Sequence, residues 1–321
     1  MEIIKAKSTG YCSGVGNCVK KLREFKKKTN VFVYGPLTNN NKVVEMLDKE
    51  GVKTVETNPE VIVDGILAIR AHGVTDKEIE KLSENNEVLD LTCPKINKIH
   101  ALSKSYEKKG YHIVFLGLKD HPEAKGIIGN LENYSFITSL ENIPEIKEEK
   151  IVVLAQTTIV KANFEKLVNE LKKTHPDLIV LDTICDETYN RQEEIKEMEV
   201  DAFIVVGHKK SNNTRHLYEI AKEIKPTYWI NESSELNLDE LKDKKVGLLS
   251  GSTVPNKTIN KIMEELLPKV KKISDNRFLV TSDKGECYEV DLAMPFCECK
   301  GFYYNKRECK HIKLAREFSN Q

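Results

Sequence analysis

The chain has 321 residues, enough for two domains or three at roughly 150 residues each. Lys plus Arg and Asp plus Glu both number 50, and this balance excludes a general nucleic-acid coat or an acidic solvating tail. Apolar residues, at 40%, suffice for a core, yet the longest apolar runs, such as Ile151 to Ala155, fall far below the roughly 18 residues of a membrane span. The opening Met1-Glu2-Ile3-Ile4-Lys5 lacks an apolar signal segment, so a reducing cytoplasm is expected. There the eight cysteines read as metal-binding or catalytic thiols rather than disulfide partners.

Taken in chain order, the first strand is Ile3-Ile4-Lys5-Ala6, followed by Gly10-Tyr11-Cys12. A helical pattern leads to a second strand, Val31-Phe32-Val33-Tyr34-Gly35, and a third, Gly65 to Ile69, runs into the turn Ala71-His72-Gly73. The same order then repeats. Val88-Leu89-Asp90-Leu91-Thr92-Cys93 is followed by Ile113 to Gly117, then by Ile151 to Leu154 and the turn Gln156-Thr157-Thr158. Val180-Leu181-Asp182-Thr183-Ile184-Cys185 is followed by Phe203 to Gly207, then by Val246 to Leu249 and Ser250-Gly251-Ser252-Thr253. Cys12 to Gly35, Cys93 to Gly117 and Cys185 to Gly207 span 23, 24 and 22 residues, too regular for a loose resemblance.

Amphipathic segments such as Lys161 to Lys173 and Asn256 to Leu267 separate the strands. The pattern predicts an α/β fold of three βαβαβ units, about 1–85, 86–175 and 176–273, related by a pseudo-threefold axis with parallel sheets. Ligands of such sheets sit outside the carboxyl ends of the strands, where the three cysteines and the polar turns fall. One buried cysteine is ordinary packing, whereas three at equivalent repeat positions point to a shared metal. Three thiolates suit a tetrahedral zinc with one open position or an iron–sulfur cluster with one non-cysteine iron. Cys18 has no counterpart in the other units and reads as packing.

Six fragments in order carry a family resemblance: Gly10-Tyr11-Cys12-Ser13-Gly14-Val15, Ala71-His72-Gly73-Val74, Thr92-Cys93-Pro94, His121-Pro122-Glu123, Gln156-Thr157-Thr158, and Asp182 to Cys185 with Arg191-Gln192. Over about residues 1 to 270 the chain resembles the LytB/IspH family of 4-hydroxy-3-methylbut-2-enyl diphosphate reductases. The resemblance implies an α/β trefoil around a 4Fe-4S cluster held by Cys12, Cys93 and Cys185. It implies reductive dehydroxylation of an allylic diphosphate to isopentenyl and dimethylallyl diphosphate, with electrons from a ferredoxin- or flavodoxin-like donor. It gives Glu123 as proton donor and Thr157 as its relay, the chemistry of a desolvated carboxyl near neutral pH. His72, His121, Ser211, Asn213 and the Ser252-Thr253 turn match family positions that bind the phosphates. Asn39, Asn212 and Thr253 stand where the family carries a histidine and two serines; asparagine and threonine still donate hydrogen bonds but hold no positive charge.

The remaining cysteines crowd the end of the chain. Cys297-Glu298-Cys299 and Cys309-Lys310-His311 supply four soft ligands for a closed tetrahedral Zn2+ site. The layout resembles a SWIM zinc finger over residues 274–321, with a hairpin of Arg277 to Thr281 and Cys287 to Asp291 turning at Asp283-Lys284-Gly285, and a helix from His311 to Phe318. Cys287 is expected to pack. Six basic residues and one acidic one between Lys300 and Arg316, with Phe302, Tyr303 and Tyr304 among them, suit a nucleic-acid or protein partner as well as a plain solvated face.

Three function classes follow. The first is the diphosphate reductase with an added zinc module. The second is a diverged paralogue using an open cluster for RNA modification or sulfur transfer, targeted by the zinc finger. The third is an adaptor with two structural metal sites, which three rather than four central ligands argue against.

Overall fold

The structure, a computed structural model, describes residues 1–266, 270–282, 286–305 and 307–319. The first repeat forms β1 (Glu2–Lys5), α1 (Ser13–Lys26), β2 (Val31–Tyr34), α2 (Asn41–Lys49), β3 (Val52–Val55), β4 (Ile66–Ile69) and α3 (Asp76–Ser83). The second forms β5 (Glu87–Asp90), α4 (Pro94–Lys108), β6 (His112–Leu116), α5 (Pro122–Ile128), β7 (Tyr134–Ile137), β8 (Ile151–Ala155) and α6 (Lys161–Lys172). The third forms β9 (Ile179–Val180), α7 (Asp186–Glu197), β10 (Ala202–Val206), α8 (Asn212–Ile224), β11 (Thr227–Ile230), β12 (Lys245–Ser250) and α9 (Asn256–Leu266).

The expected strands are present in parallel sheets, but each sheet has four strands rather than three. The additional strands β3, β7 and β11 lie at sheet edges, and their half-exposed side chains leave only a weak apolar signal. The sheets also exchange strands between repeats. Order β3-β2-β4-β5 takes β5 from the second repeat, β7-β6-β8-β9 takes β9 from the third, and β1-β12-β10-β11 takes β1 from the first. Each cysteine therefore follows a strand that pairs in the preceding repeat's sheet, and the exchange closes the three sheets into a ring.

The inner strands β4, β6, β8 and β10 are buried along their whole length because helices cover both sheet faces. Alternate residues feed opposite cores. In the first sheet Val31, Val33 and Ala68 pack on one side with Leu22 of α1, while Tyr34, Leu67 and Ile69 pack on the other with Leu82 of α3.

The last 50 or so residues form a separate antiparallel sheet, β13 (Val270–Ser274), β14 (Arg277–Thr281), β15 (Cys287–Asp291) and β16 (Phe296–Cys297), with α10 (Lys300–Asn305) and α11 (Lys310–Ser319). The expected hairpin is β14 paired with β15, and its expected turn at 283–285 lies outside the described residues. β13 pairs with β14, so this sheet starts at Val270, ahead of the expected division at 273/274. Val270, Phe278, Val280, Val290, Ile312 and Ala315 make a core of their own. Cys287 corrects an expectation: it sits on β15 but is exposed, because its side of the strand faces solvent. Cys18, by contrast, is buried, with its thiol 3.3 Å from the Leu91 carbonyl oxygen.

Candidate active site

Nine strand ends, three from each repeat, surround one cavity of about 100 Å³. Cys12, Cys93 and Cys185 are the N-caps of α1, α4 and α7. Asn40, His121 and Ser211 hold the equivalent positions on α2, α5 and α8. The turns after β4, β8 and β12 supply His72, Thr157 and Thr253. All site residues expected from the three repeats line the cavity, Asn39, Asn212 and Asn213 included. The helix N-termini at this wall place partial positive charge where an anion would bind.

The thiols sit in a tight cradle. A Cβ on Gly14 would meet Cys93 Sγ at 3.1 Å, tighter than nine in ten such contacts, so glycine eases the close approach of α1 to the second thiol. Gly10, just before Cys12, holds φ at +87°, and a Cβ there would lie 2.0 Å from Asn256 Oδ1. Cys12 Sγ accepts from the Val15 N–H at 3.5 Å, a bond that partly offsets the burial that pushes this thiol's pKa up. Among the described residues, ligand side chains are drawn together at single-ion spacing only in the C-terminal group, not at these three thiols. Three thiols at helix N-cap positions around one cavity, spread wider than one ion requires, fit a cluster.

Glu123 is 2% exposed. Its Oε1 accepts from the Thr157 N–H at 2.7 Å and its Oε2 from the Thr157 hydroxyl at 2.8 Å. Burial outweighs both bonds and lifts its pKa from 4.5 to about 7, so it can carry a proton at neutral pH. Beside it, His121 Nδ1 accepts from the Glu123 N–H at 3.2 Å, which places the ring proton on Nε2. Burial, then the nearby Arg70 charge, lowers His121 to about 4. Burial also pushes His72 well below its usual value, helped by His121, whose ring meets it edge-on at 5.3 Å, and by Arg70. Both imidazoles are neutral hydrogen-bonding groups here rather than cations.

Several buried polar atoms around the cavity have no hydrogen-bond partner among the described residues: both amide atoms of Asn213, Thr253 Oγ1 and His72 Nδ1. Each such atom costs about 1–3 kcal/mol when left unsatisfied, so their convergence marks a place for a polar ligand. Lys95 and Glu187, which sequence reasoning passed over, also line the wall. Each lies two residues beyond a cysteine, in the first turn of the helix that the cysteine caps, and that spacing is the signal that could have found them.

In the C-terminal module, Cys297, Cys299, Cys309 and His311 bring their ligand atoms within 4.8 Å of one another. His311 Nδ1 faces the thiols, 3.6 Å from Cys297 Sγ and 4.0 Å from Cys309 Sγ, and Tyr288 stacks on its ring with centroids 4.7 Å apart. This is the spacing of a tetrahedral metal site.

A thiol-lined cavity that also holds a polar wall and a carboxyl with a pKa of about 7 has the makings of an oxidoreductase site. The LytB protein family model matches residues 3–267, and the chain belongs to the LytB family, hence to the oxidoreductases. The 4-hydroxy-3-methylbut-2-enyl diphosphate reductase of Anaeromyxobacter sp. (strain K) is 35% identical over 264 residues, 80% of this chain and 95% of that relative. The same-named protein of Clostridioides difficile (strain 630) is 33% identical, covering 82% and 98%. A solved structure of (E)-4-hydroxy-3-methyl-but-2-enyl diphosphate reductase superposes with a TM-score of 0.66 at 32% identity, over 83% of this chain and 98% of that one. The corresponding Plasmodium falciparum reductase structure gives 0.77 at 25% identity, over 83% and 87%.

Proposed function

We propose that the chain reduces 4-hydroxy-3-methylbut-2-enyl diphosphate to isopentenyl and dimethylallyl diphosphate. The carrying observation is that Glu123, with its pKa of about 7, faces the same cavity as three thiols at helix N-cap positions and a set of unpartnered polar groups. In the net reaction the allylic C–O bond breaks, two electrons and two protons enter, and water leaves. When bound on Cys12, Cys93 and Cys185, a 4Fe-4S cluster supplies the electrons and an open iron position.

The chain's own residues do the rest. Asn213, Thr253, Ser211 and the neutral His72 and His121 donate hydrogen bonds to the diphosphate, with Asn39 and Asn212 beside them on the wall. Val15, Ala71 and Ile96 give that wall apolar surface against which a five-carbon chain packs. Protonated on Oε2, Glu123 donates to Thr157 Oγ1, whose hydroxyl proton then turns toward the leaving oxygen. The Thr157 N–H holds Oε1 and fixes the carboxyl orientation throughout.

The C-terminal module we read as a zinc finger of the SWIM type, supported by four ligands at tetrahedral spacing and by a family match that ends at residue 267. Its role is recruitment of a nucleic-acid or protein partner, separate from a ferredoxin- or flavodoxin-like electron donor at the reductase core. The relatives named above are all reductases, which favours this reading over an RNA-modifying or sulfur-transfer paralogue and over an adaptor. No helix among the described residues is long and apolar enough to cross a membrane. The test is anaerobic purification followed by absorbance and EPR spectra with and without the diphosphate substrate. A brown protein whose cluster spectrum changes on substrate addition, with turnover, is expected; colourless protein with one zinc at the central site would overturn the reading.

A further inference from the structure

The three cysteine helices are tied together by side chains for which the proton chemistry has no use. Glu187 joins α7 to α1, its carboxylate accepting from the Ser13 N–H at 3.0 Å and from the Ser13 hydroxyl. Lys95 joins α4 to α7: its Nζ lies 3.4 Å from Cys185 Sγ and 3.3 Å from Asp186 Oδ2. A cation from the helix that Cys93 caps is thus delivered to the sulfur of Cys185. The only other Lys or Arg on the described cavity wall, Arg191, is turned to backbone, donating to the carbonyls of Ser8, Gly10 and Ser250. Lys95 also marks the solvent-facing side, since 39% of its side chain and 86% of that of Asp186 are exposed.

We propose that Lys95 is a positioning residue for electron transfer, its ammonium beside the Cys185 sulfur raising the reduction potential of the cluster held there. The inference rests on the cluster reading above. A reduced cluster carries one more negative charge than its oxidised form, and a cation at a ligand sulfur stabilises that charge preferentially. Groups just outside the metal ligands set potential in this way. As a purely structural ion pair, Lys95 and Asp186 are too exposed to add much stability, so their variants are expected to fold.

The experiment compares full-length, anaerobically purified wild type with Lys95→Met, Lys95→Arg and Asp186→Asn. Iron and sulfide content per chain come first, then a redox titration followed by EPR. Lys95→Met should keep its cluster while the reduced-to-oxidised ratio at a fixed potential falls about tenfold, a midpoint lower by about 59 mV for a one-electron couple. Lys95→Arg should stay near wild type, and Asp186→Asn, which removes a negative charge beside the thiolate, should move the opposite way. An unmoved midpoint in cluster-replete Lys95→Met, or an equal drop in Lys95→Arg, would overturn the role of Lys95 alone. Wild type without a 4Fe-4S cluster would overturn the cluster reading and this inference with it.

Discussion

Burial raises the Glu123 carboxyl from 4.5 to about 7 against two hydrogen bonds from Thr157, and this has opposite effects on catalysis and stability. For catalysis the protonated form is the useful one, so Glu123→Gln should keep the cluster while losing about 10²–10⁴ in turnover. Near-wild-type reduction by that variant would assign the proton to another group. For stability the sign runs the other way above neutrality. The folded state binds the proton more tightly than the unfolded one, so the contribution is complete below pH 4.5 and is lost as pH rises through about 7. By pH 8 the buried carboxylate costs on the order of 3 kcal/mol, since each unit is worth about 1.4. Glu123→Gln should therefore gain thermal stability over wild type between pH 5 and pH 8; parallel melting curves for the two across that range would refute the burial account. Glu123 and Thr157 were legible as motif residues in the sequence. Their pairing and the neutrality of His72 and His121 were not, because both depend on burial that spacing does not report.

At the scale of elements, the decisive placement is the cysteine at the N-cap of a helix, made three times. Gly14 is where α1 meets Cys93. Gly14→Ala would put a methyl 3.1 Å from the Cys93 sulfur, tighter than nine in ten such contacts, so the thiol must give by a few tenths of an ångström. The expected outcome is folded protein, by circular dichroism, with reduced iron and sulfide per chain. Full cluster content in that variant would show that the cradle is wider than it looks. The repeat itself was readable from the 23-, 24- and 22-residue offsets. The exchange of β1, β5 and β9 between sheets was not, since an apolar run states that a strand exists and leaves its partner open.

On the scale of the whole molecule, the reductase core and the C-terminal sheet keep separate hydrophobic clusters, the latter beginning with Val270. A chain ending at Leu266 should therefore retain its cluster and reduce the diphosphate with an artificial electron donor. Loss of both would show that the tail is part of the catalytic fold. On the proposed zinc-finger reading, Cys309→Ser in the full chain should unfold the tail alone, because structural zinc contributes roughly 10–16 kcal/mol to comparable small modules. Protease sensitivity confined to the region after residue 266, with core cluster content intact, is the measurement to make.

Local order alone determined much of this protein: which segments are strands and helices, that three units repeat, and that cysteines and polar turns recur at strand ends. Parallel strands carry their functional residues at one end, so a repeated spacing is enough to say that those ends share a face. Tertiary structure decided what the face contains. It closed three sheets into a ring by strand exchange, buried Glu123 far enough to hold a proton, and set Lys95 of one repeat against Cys185 of the next. Desolvation and contact between repeats are properties of the packed chain, and they arise only when residues distant in sequence exclude water together.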